Sequence, residues 1–414
     1  VNQAEPRIPD RRPGVLGPFR FKDFRLLWSG LLVSNLGTWM QFTALGYYVA
    51  SLASDARSGA LAIGLIGAAR AAPVLVLSPF AGVVADRYPR RTILFATNAL
   101  TSILSFVLFA LIATNHAPLW TLMITSGLQA GTQSFDAPAR QSWVPLMVPR
   151  EYVGGAIGLN SVAFNAPSVV GPPMAGLLIA TIGVAPCFLL NAVLTLAVVI
   201  ALLFMRPAPP SSRVRGHVFG AILEGVRFLM QHPVLRWVVL MLVVTSLTIR
   251  SYNFQLPAYA VHVLHTDARG LGVLMAAAGV GAIGGAFFTA ATGSDRRGTI
   301  WLISALVAAV GVGALGLTTH FGLALPILAV IGLSTLSFIG SSNILLQTLS
   351  PDDMRGRAIS VYGMILLGFV PLGSLLVGAI ATLIELHWAF VLGGAIALLF
   401  GLWIAFAQPE IREA

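Results

Sequence analysis

Charge is scarce in this chain. Only 10% of its 414 residues are Asp, Glu, Lys or Arg, while 57% are apolar; a soluble domain needs more polar surface than that, so one aqueous core is excluded. Cysteine is almost absent as well. Cys187 stands alone, so no disulfide can form within the chain, and its place at the mouth of an apolar run marks it as a small packing residue. Lys22 is the one lysine among 25 basic residues. The alternation of barrel strands is missing, as are a Walker loop and any metal-ligand spacing among the seven His residues. With no nucleophile and base paired inside an apolar run either, the reading is of a protein that is not an enzyme and needs no cofactor.

What the chain has is length of apolar run. Twelve stretches between residues 26 and 407 approach the roughly 20 residues that cross a hydrocarbon core of about 30 Å. The expectation is an all-α integral membrane protein of 12 transmembrane helices, both termini in the cytoplasm. The formal charge of +10 does not call for nucleic acid. With that topology, Arg57 and Arg269 fall in outer loops and Arg70 and Arg250 within spans; the other basic residues all lie on the cytoplasmic side, as membrane topology favours.

The longest internal break, 207–234, opens with PAPPSSRVRGH and continues into a stretch where Ile222, Val226 and Leu229 share one helical face. It reads as a linker followed by an amphipathic helix on the inner membrane surface. The chain divides into a disordered N-terminus (1–18), a first six-helix bundle (19–206), the linker (207–234), a second six-helix bundle (235–407) and a tail (408–414). The two halves repeat. Pro149, Gly154, Ala156, Ile157, Gly171 and Gly176 recur as Pro351, Gly356, Ala358, Ile359, Gly373 and Gly378 at a constant offset, and ADRYPRRTI at 85–93 has an echo in SDRRGTI at 294–300. Two pseudo-symmetric six-helix bundles follow, related by an axis along the membrane normal.

Charge concentrates at one place, GVVADRYPRR at 82–91, between two membrane-length runs. With the repeat, this loop resembles the major facilitator superfamily over essentially 19–408. FKDFRLLWSGLLVSNLGTW, FDAPARQSWVPLMVPRE and RGRAISVYGMILLGFVPLGSLLVG resemble its bacterial exporter branch, which includes the enterobactin exporter and macrolide efflux proteins. Gly82, Asp86, Arg87, Arg90 and Arg91 fit the family's loop motif, with Pro89 in place of its second Gly. The resemblance implies that Asp86 caps the eleventh helix, where a carboxylate suits the helix dipole, and that Arg90 reaches an acid on the fourth. Asp136 is the expected partner, in a latch that holds the halves together when the outer side is open. Gly171, Pro172 and Gly176 resemble the family's antiporter motif, with Ala175 for one Gly; small residues also permit close helix contact without any such role.

An ionisable group deep in the membrane is a functional candidate by default. Arg250 lies near the middle of the seventh helix in a polar stripe with Asn253, and Arg70 near the middle of the second. The resemblance implies a cavity lined by the first, fourth, seventh and tenth helices. Its candidates are Asn35, Trp39, Gln41, Gln129, Gln133, Ser337 and Ser341, with Gln41 opposite Arg250. Neither arginine has an acid at its own depth, which favours an anionic or electron-rich ligand, although a structural role for each is the competing reading.

The resemblance implies a secondary active exporter, working by alternating access, for a small amphipathic, anionic or drug-like molecule in a bacterial inner membrane. Proton antiport is the family's habit, yet no Asp or Glu stands at midplane in the first or fourth helix. A lipid or lysolipid flippase and a non-transporting sensor or scaffold are the alternatives. The partners expected are a small-molecule substrate, the lipid bilayer and protons, with no nucleic acid and a monomeric chain.

Overall fold

The computed structural model describes residues 16–205, 218–292, 297–408 and residue 411; the side chains at 79, 82, 83, 86, 218, 219 and 221 lie outside that description. The expectations for residues 1–15, for the linker at 207–217, for most of the tail and for the loop echo at 293–296 fall outside it too. Every regular element among the described residues is helical. The first half holds α1 (Lys22–Leu52), α2 (Ala56–Arg87), α3 (Arg90–Ala113), α4 (Leu119–Trp143), α5 (Val153–Ile182) and α6 (Ala185–Leu203). A connecting helix, α7 (Val218–Gln231), leads to α8 (Leu235–Thr248), α9 (Tyr252–His262), α10 (Ala268–Ala291), α11 (Arg297–Leu317) and α12 (Phe321–Leu349). The chain closes with α13 (Asp352–Met364), α14 (Val370–Ile384) and α15 (Leu386–Ala407).

Local chemistry sets the ends and breaks. At the start of α2 the Asp55 carboxylate accepts from the Ser58 backbone N–H at 2.8 Å, and the Ser58 hydroxyl accepts from the Asp55 N–H at 3.3 Å, a reciprocal cap that satisfies two free donors. The Ser58 N–H foremost, and then the Ser58 hydroxyl donating to Asp55 Oδ1 at 2.9 Å, hold the Asp55 carboxyl below the usual aspartate range. Asp267 caps α10 through the Gly270 N–H at 3.0 Å. Two rods break at membrane depth. Between α8 and α9 the Arg250 N–H reaches back five residues to the Thr245 carbonyl at 2.8 Å. Between α13 and α14 a π-helical turn, Ile365–Phe369, precedes Pro371, which has no N–H for the regular ladder and whose ring crowds the preceding turn.

With α8–α9 and α13–α14 each taken as one rod, ten helices among the described residues are long and apolar enough to cross a membrane. The other two of the twelve expected spans correspond to α1 and α4, which run beside these ten but fall short of them in apolarity. The reason is in their sequences: α1 carries Ser34, Asn35, Thr38 and Gln41, and α4 carries Thr125, Gln129 and Gln133, each set at helical spacing.

α1–α6 pack among themselves and so do α8–α15; the halves meet along α2 against α14, α5 against α10, and α9 against α1 and α2. The chain enters α1 and leaves α15 on one side, called here the terminal side. The expected surface helix, α7, sits there, but its apolar face turns inward. Leu229 is fully buried in one cluster with Leu235 and Trp301, and Glu224 pairs with Arg357 of α13 at 2.5 Å. Cys187 is fully buried among apolar side chains, as its position suggested.

Candidate substrate cavity

Close approach between the halves runs from the side away from the termini to the middle of the helices. A Cβ added to Gly46 of α1 would lie 2.5 Å from the Pro257 ring of α9, and one on Gly378 of α14 would lie 2.5 Å from the Ala60 carbonyl oxygen of α2. Gly176 of α5 meets the Ala268 carbonyl of α10 more tightly still. Polar contacts close the same face. Arg57 pairs with Glu385 at 3.2 Å, and His262 Nε2 stands 2.9 Å from the Ala50 carbonyl. On the terminal side, Gly154 and Gly158 of α5 and Gly356 and Gly363 of α13 face open space, with no neighbour within 4 Å of an added Cβ. The molecule is therefore sealed away from its termini and open towards them.

A cavity of about 650 Å3 lies between the halves, within the range of small-molecule sites. The first half lends it Asn35, Trp39 and Gln41 from α1, Arg70 from α2, and Gln129 and Gln133 from α4; the second half lends Arg250 and Asn253. These are sequence candidates brought together. Gln41 does not reach across to Arg250. Its amide donates to Gln129 Oε1 at 2.8 Å and its Oε1 accepts from Asn191 of α6 at 2.7 Å, while Asn191 and Gln129 both donate to Ser105 Oγ, at 2.9 and 3.1 Å. That buried network joins α1, α3, α4 and α6 and leaves the Gln41 amide occupied.

Ser337 and Ser341 are not in the cavity wall. Both are fully buried, Ser337 donates to the Gly285 carbonyl of α10 at 3.2 Å, and α12 shows the cavity Gly332, Thr335, Leu336 and Ile339 instead. At 100° per residue, Ser337 points about 200° away from Thr335, so the small hydroxyls serve the tight α10–α12 contact.

Of the expected latch, the two members with described side chains, Arg90 and Asp136, do not meet in this arrangement. Gly82 and Asp86 lie outside the described side chains, and Arg87 is exposed. Arg90 donates to Ser142 Oγ at 2.9 Å, and Arg91 donates to the Leu202 and Leu203 carbonyls at 2.7 and 3.1 Å. Asp136 pairs with Arg140, one turn on in α4, at 3.3 Å and accepts from Asn98 at 2.8 Å and Thr97 at 3.3 Å. Asp136 and Arg140 both line the cavity. Arg140, one of the basic residues expected on the cytoplasmic side outside the spans, is buried; its guanidinium lies 3.7 Å over the Phe164 ring, and Nη1 donates to Asn160 Oδ1 at 3.4 Å. The i, i+4 spacing of Asp136 and Arg140 was the signal that could have found it.

The antiporter-like motif works as a helix contact. Gly171 faces Trp39 of α1, 2.8 Å from an added Cβ to its Cβ, and Gly176 faces α10. Their repeats do the same in the other half: a Cβ added to Gly373 would lie 2.5 Å from the Leu247 carbonyl oxygen of α8, and Gly378 faces α2.

Two half-buried arginines, Arg70 and Arg250, face the cavity. Arg70 has no hydrogen-bond or ion-pair partner among the described residues. Arg250 stands in the break between α8 and α9, and its Nη1 is buried with no acceptor. Trp39, Phe42 and Phe254 form an edge-to-face series, at 5.7 Å between the first two ring centroids and 5.1 Å between the last two, crossing from α1 to α9 at the sealed end of the cavity.

Known proteins share both the sequence and the fold. The multidrug efflux pump Tap of Mycolicibacterium fortuitum is 27% identical over 369 residues, covering 86% of this chain and 88% of its own. The enterobactin exporter EntS of Citrobacter koseri is 27% identical over 395 residues, covering 94% and 92%. Among solved structures, a bacterial homologue of the human lysosomal transporter Spinster, inward-facing and unoccupied, superposes with a TM-score of 0.71 at 16% identity over 95% of this chain and 99% of that one. A D-xylose–proton symporter gives 0.71 at 14% identity over 96% and 99%. Residues 13–413 match the family described as transmembrane secretion effector. The chain is a multi-pass membrane protein of the major facilitator superfamily and belongs to its transmembrane secretion effector family.

Proposed function

We propose that this protein is a secondary active exporter that moves a small amphipathic molecule, of drug or siderophore type, out of the cytoplasm by alternating access. The observation that carries this reading is the cavity between the halves, sealed at Gly176 and Gly378 and open on the terminal side. The basic residues gathered around that side support a cytoplasmic orientation for it. A molecule therefore enters from within, and rocking of the halves about the cavity exposes it outside. The kinship with Tap and EntS supports outward transport of drug- or siderophore-like cargo.

Energy is assigned to a proton gradient. Asp136 is the one carboxylate among the described residues that lines the cavity. Its protonation would free Arg140, and that exchange ties proton uptake to a change in the cavity wall. The test is accumulation of an amphipathic fluorescent dye in a bacterium stripped of its own efflux pumps. Expression should lower accumulation, and collapsing the proton gradient or introducing Asp136→Asn should restore it. Accumulation that expression leaves unchanged overturns the export reading, and efflux that survives loss of the gradient overturns the coupling.

A further inference from the structure

Arginine does not lose its proton in proteins, so a guanidinium without an acceptor at membrane depth is an uncompensated charge. This cavity holds two. Arg70 on α2 and Arg250 between α8 and α9 lack partners among the described residues, the latter with a buried Nη1. They come from opposite halves yet flank one short stretch of α14. Three residues before Arg70, a Cβ added to Gly67 would lie 2.7 Å from the Pro371 carbonyl oxygen, and three residues before Arg250, the Leu247 carbonyl oxygen would lie 2.5 Å from a Cβ added to Gly373. The only acid described in the cavity wall, Asp136, is engaged by Arg140, Asn98 and Thr97 and does not serve them.

Resting on the exporter reading above, we propose that Arg70 and Arg250 form a two-pronged anion site, and that the cargo is an organic anion with a carboxylate or sulfonate head and a flat apolar body. The head group takes charge-assisted hydrogen bonds from a guanidinium of each half. The body follows from the wall: Phe254 lies one turn beyond Arg250, and its ring continues through Phe42 to Trp39, so an anion held at Arg250 lays its apolar part against aromatic edges from both halves. A cation of the same shape meets two like charges. Arg140 does not compete, because Asp136 already neutralises it.

Three probes with one body isolate the charge: naphthalene-2-carboxylate, naphthalene-2-carboxamide and 2-naphthylmethylammonium, titrated against the full chain in nanodiscs. The carboxylate should bind at least about 10-fold more tightly than the amide, and the ammonium more weakly than either. Arg70→Gln and Arg250→Gln should each remove about 10-fold or more of the carboxylate's affinity and leave the amide's unchanged, and Arg250→Lys, which keeps the charge, should retain more than Arg250→Gln. Equal binding of carboxylate and amide by the wild type overturns the proposal, as does carboxylate affinity that survives both glutamine variants. The melting temperature without probe separates a structural tie: it should hold or rise in the glutamine variants, and a fall with carboxylate affinity unchanged returns both arginines to scaffold. Binding needs no turnover, so a chain that binds the carboxylate but never moves a probe in proteoliposomes refutes export and leaves the anion site standing.

Discussion

Adding one methyl group at Gly378 should shift the protein away from the conformation described. The Cβ of Gly378→Ala would lie 2.5 Å from the Ala60 carbonyl oxygen, 0.9 Å short of the 3.4 Å at which ordinary contact begins, and the obstacle is backbone rather than a side chain that could swing aside. Overpacking of this kind costs about 1–3 kcal/mol. Because the contact joins α14 to α2 across the halves, separating their outer ends relieves it. A penalty of that size borne by one state changes the ratio of inward-open to outward-open molecules by a factor of roughly 5 to 150. Spin labels at Ile182→Cys and Leu383→Cys, both exposed on the sealed side and in opposite halves, report that separation, since Cys187 is buried. Pulsed electron–electron resonance should show a growing long-distance population in Gly378→Ala. The matched control is Gly356→Ala, whose Cβ meets nothing within 4 Å and should leave the distribution unchanged. A distribution in Gly378→Ala identical to wild type would refute the claim that this contact seals the outer face.

The other expectations concern the struts around the cavity. Asn191→Leu strips partners from Gln41 and Ser105 in the buried network, and thermal unfolding should show a loss of about 1–3 kcal/mol. Glu385→Gln removes the ion pair with Arg57, both side chains about half exposed, so the loss should stay below about 1 kcal/mol and disappear in high salt, visible as a smaller shift of the same label distances. His232 Nδ1 accepts from the Val234 and Leu235 N–H groups at 3.3 and 3.2 Å at the entry to α8, and burial lowers its pKa below the ordinary 6.5. A lowered folded-state pKa means that this contribution is present above pH 6.5 and lost as pH falls below it; the melting temperature of wild type should drop there relative to His232→Ala.

Several parts of the fold were legible in the sequence for physical reasons. Gly171 and Gly176 recur as Gly373 and Gly378 because each pair does the same work: the first presses on the opening helix of its own half, and the second on the facing half. A methyl-sized constraint of that sort leaves a mark that can be read without coordinates. Rotation of a helix about its axis leaves none. Ser337 and Ser341 were assigned to the cavity because the resemblance implies that their helix lines it, and the close approach of α10 and α12 claimed them instead. Gln41 was placed facing the second half, whereas its amide is satisfied inside the first by Asn191, 150 residues away. Arg140 was expected outside the spans on the cytoplasmic side, but Asp136 and Phe164 compensate it where it is buried. The arginines without partners stood out in the sequence because nothing of opposite sign shares their depth.

The modest apolarity of α1 and α4 also bears on how the chain enters the bilayer. α1 is made before its polar face has anything to bond: Gln129, which accepts from Gln41, follows 88 residues later, and Asn191, which donates to it, follows 150 residues later. At roughly 5–20 residues per second, the second delay alone lasts about 8–30 s. During that interval Ser34, Asn35 and Gln41 would face hydrocarbon if α1 were released alone. The residues that later shape a cavity thus make the first helix a poor stand-alone insert, and require it to be retained at the insertion machinery until α4 and α6 arrive.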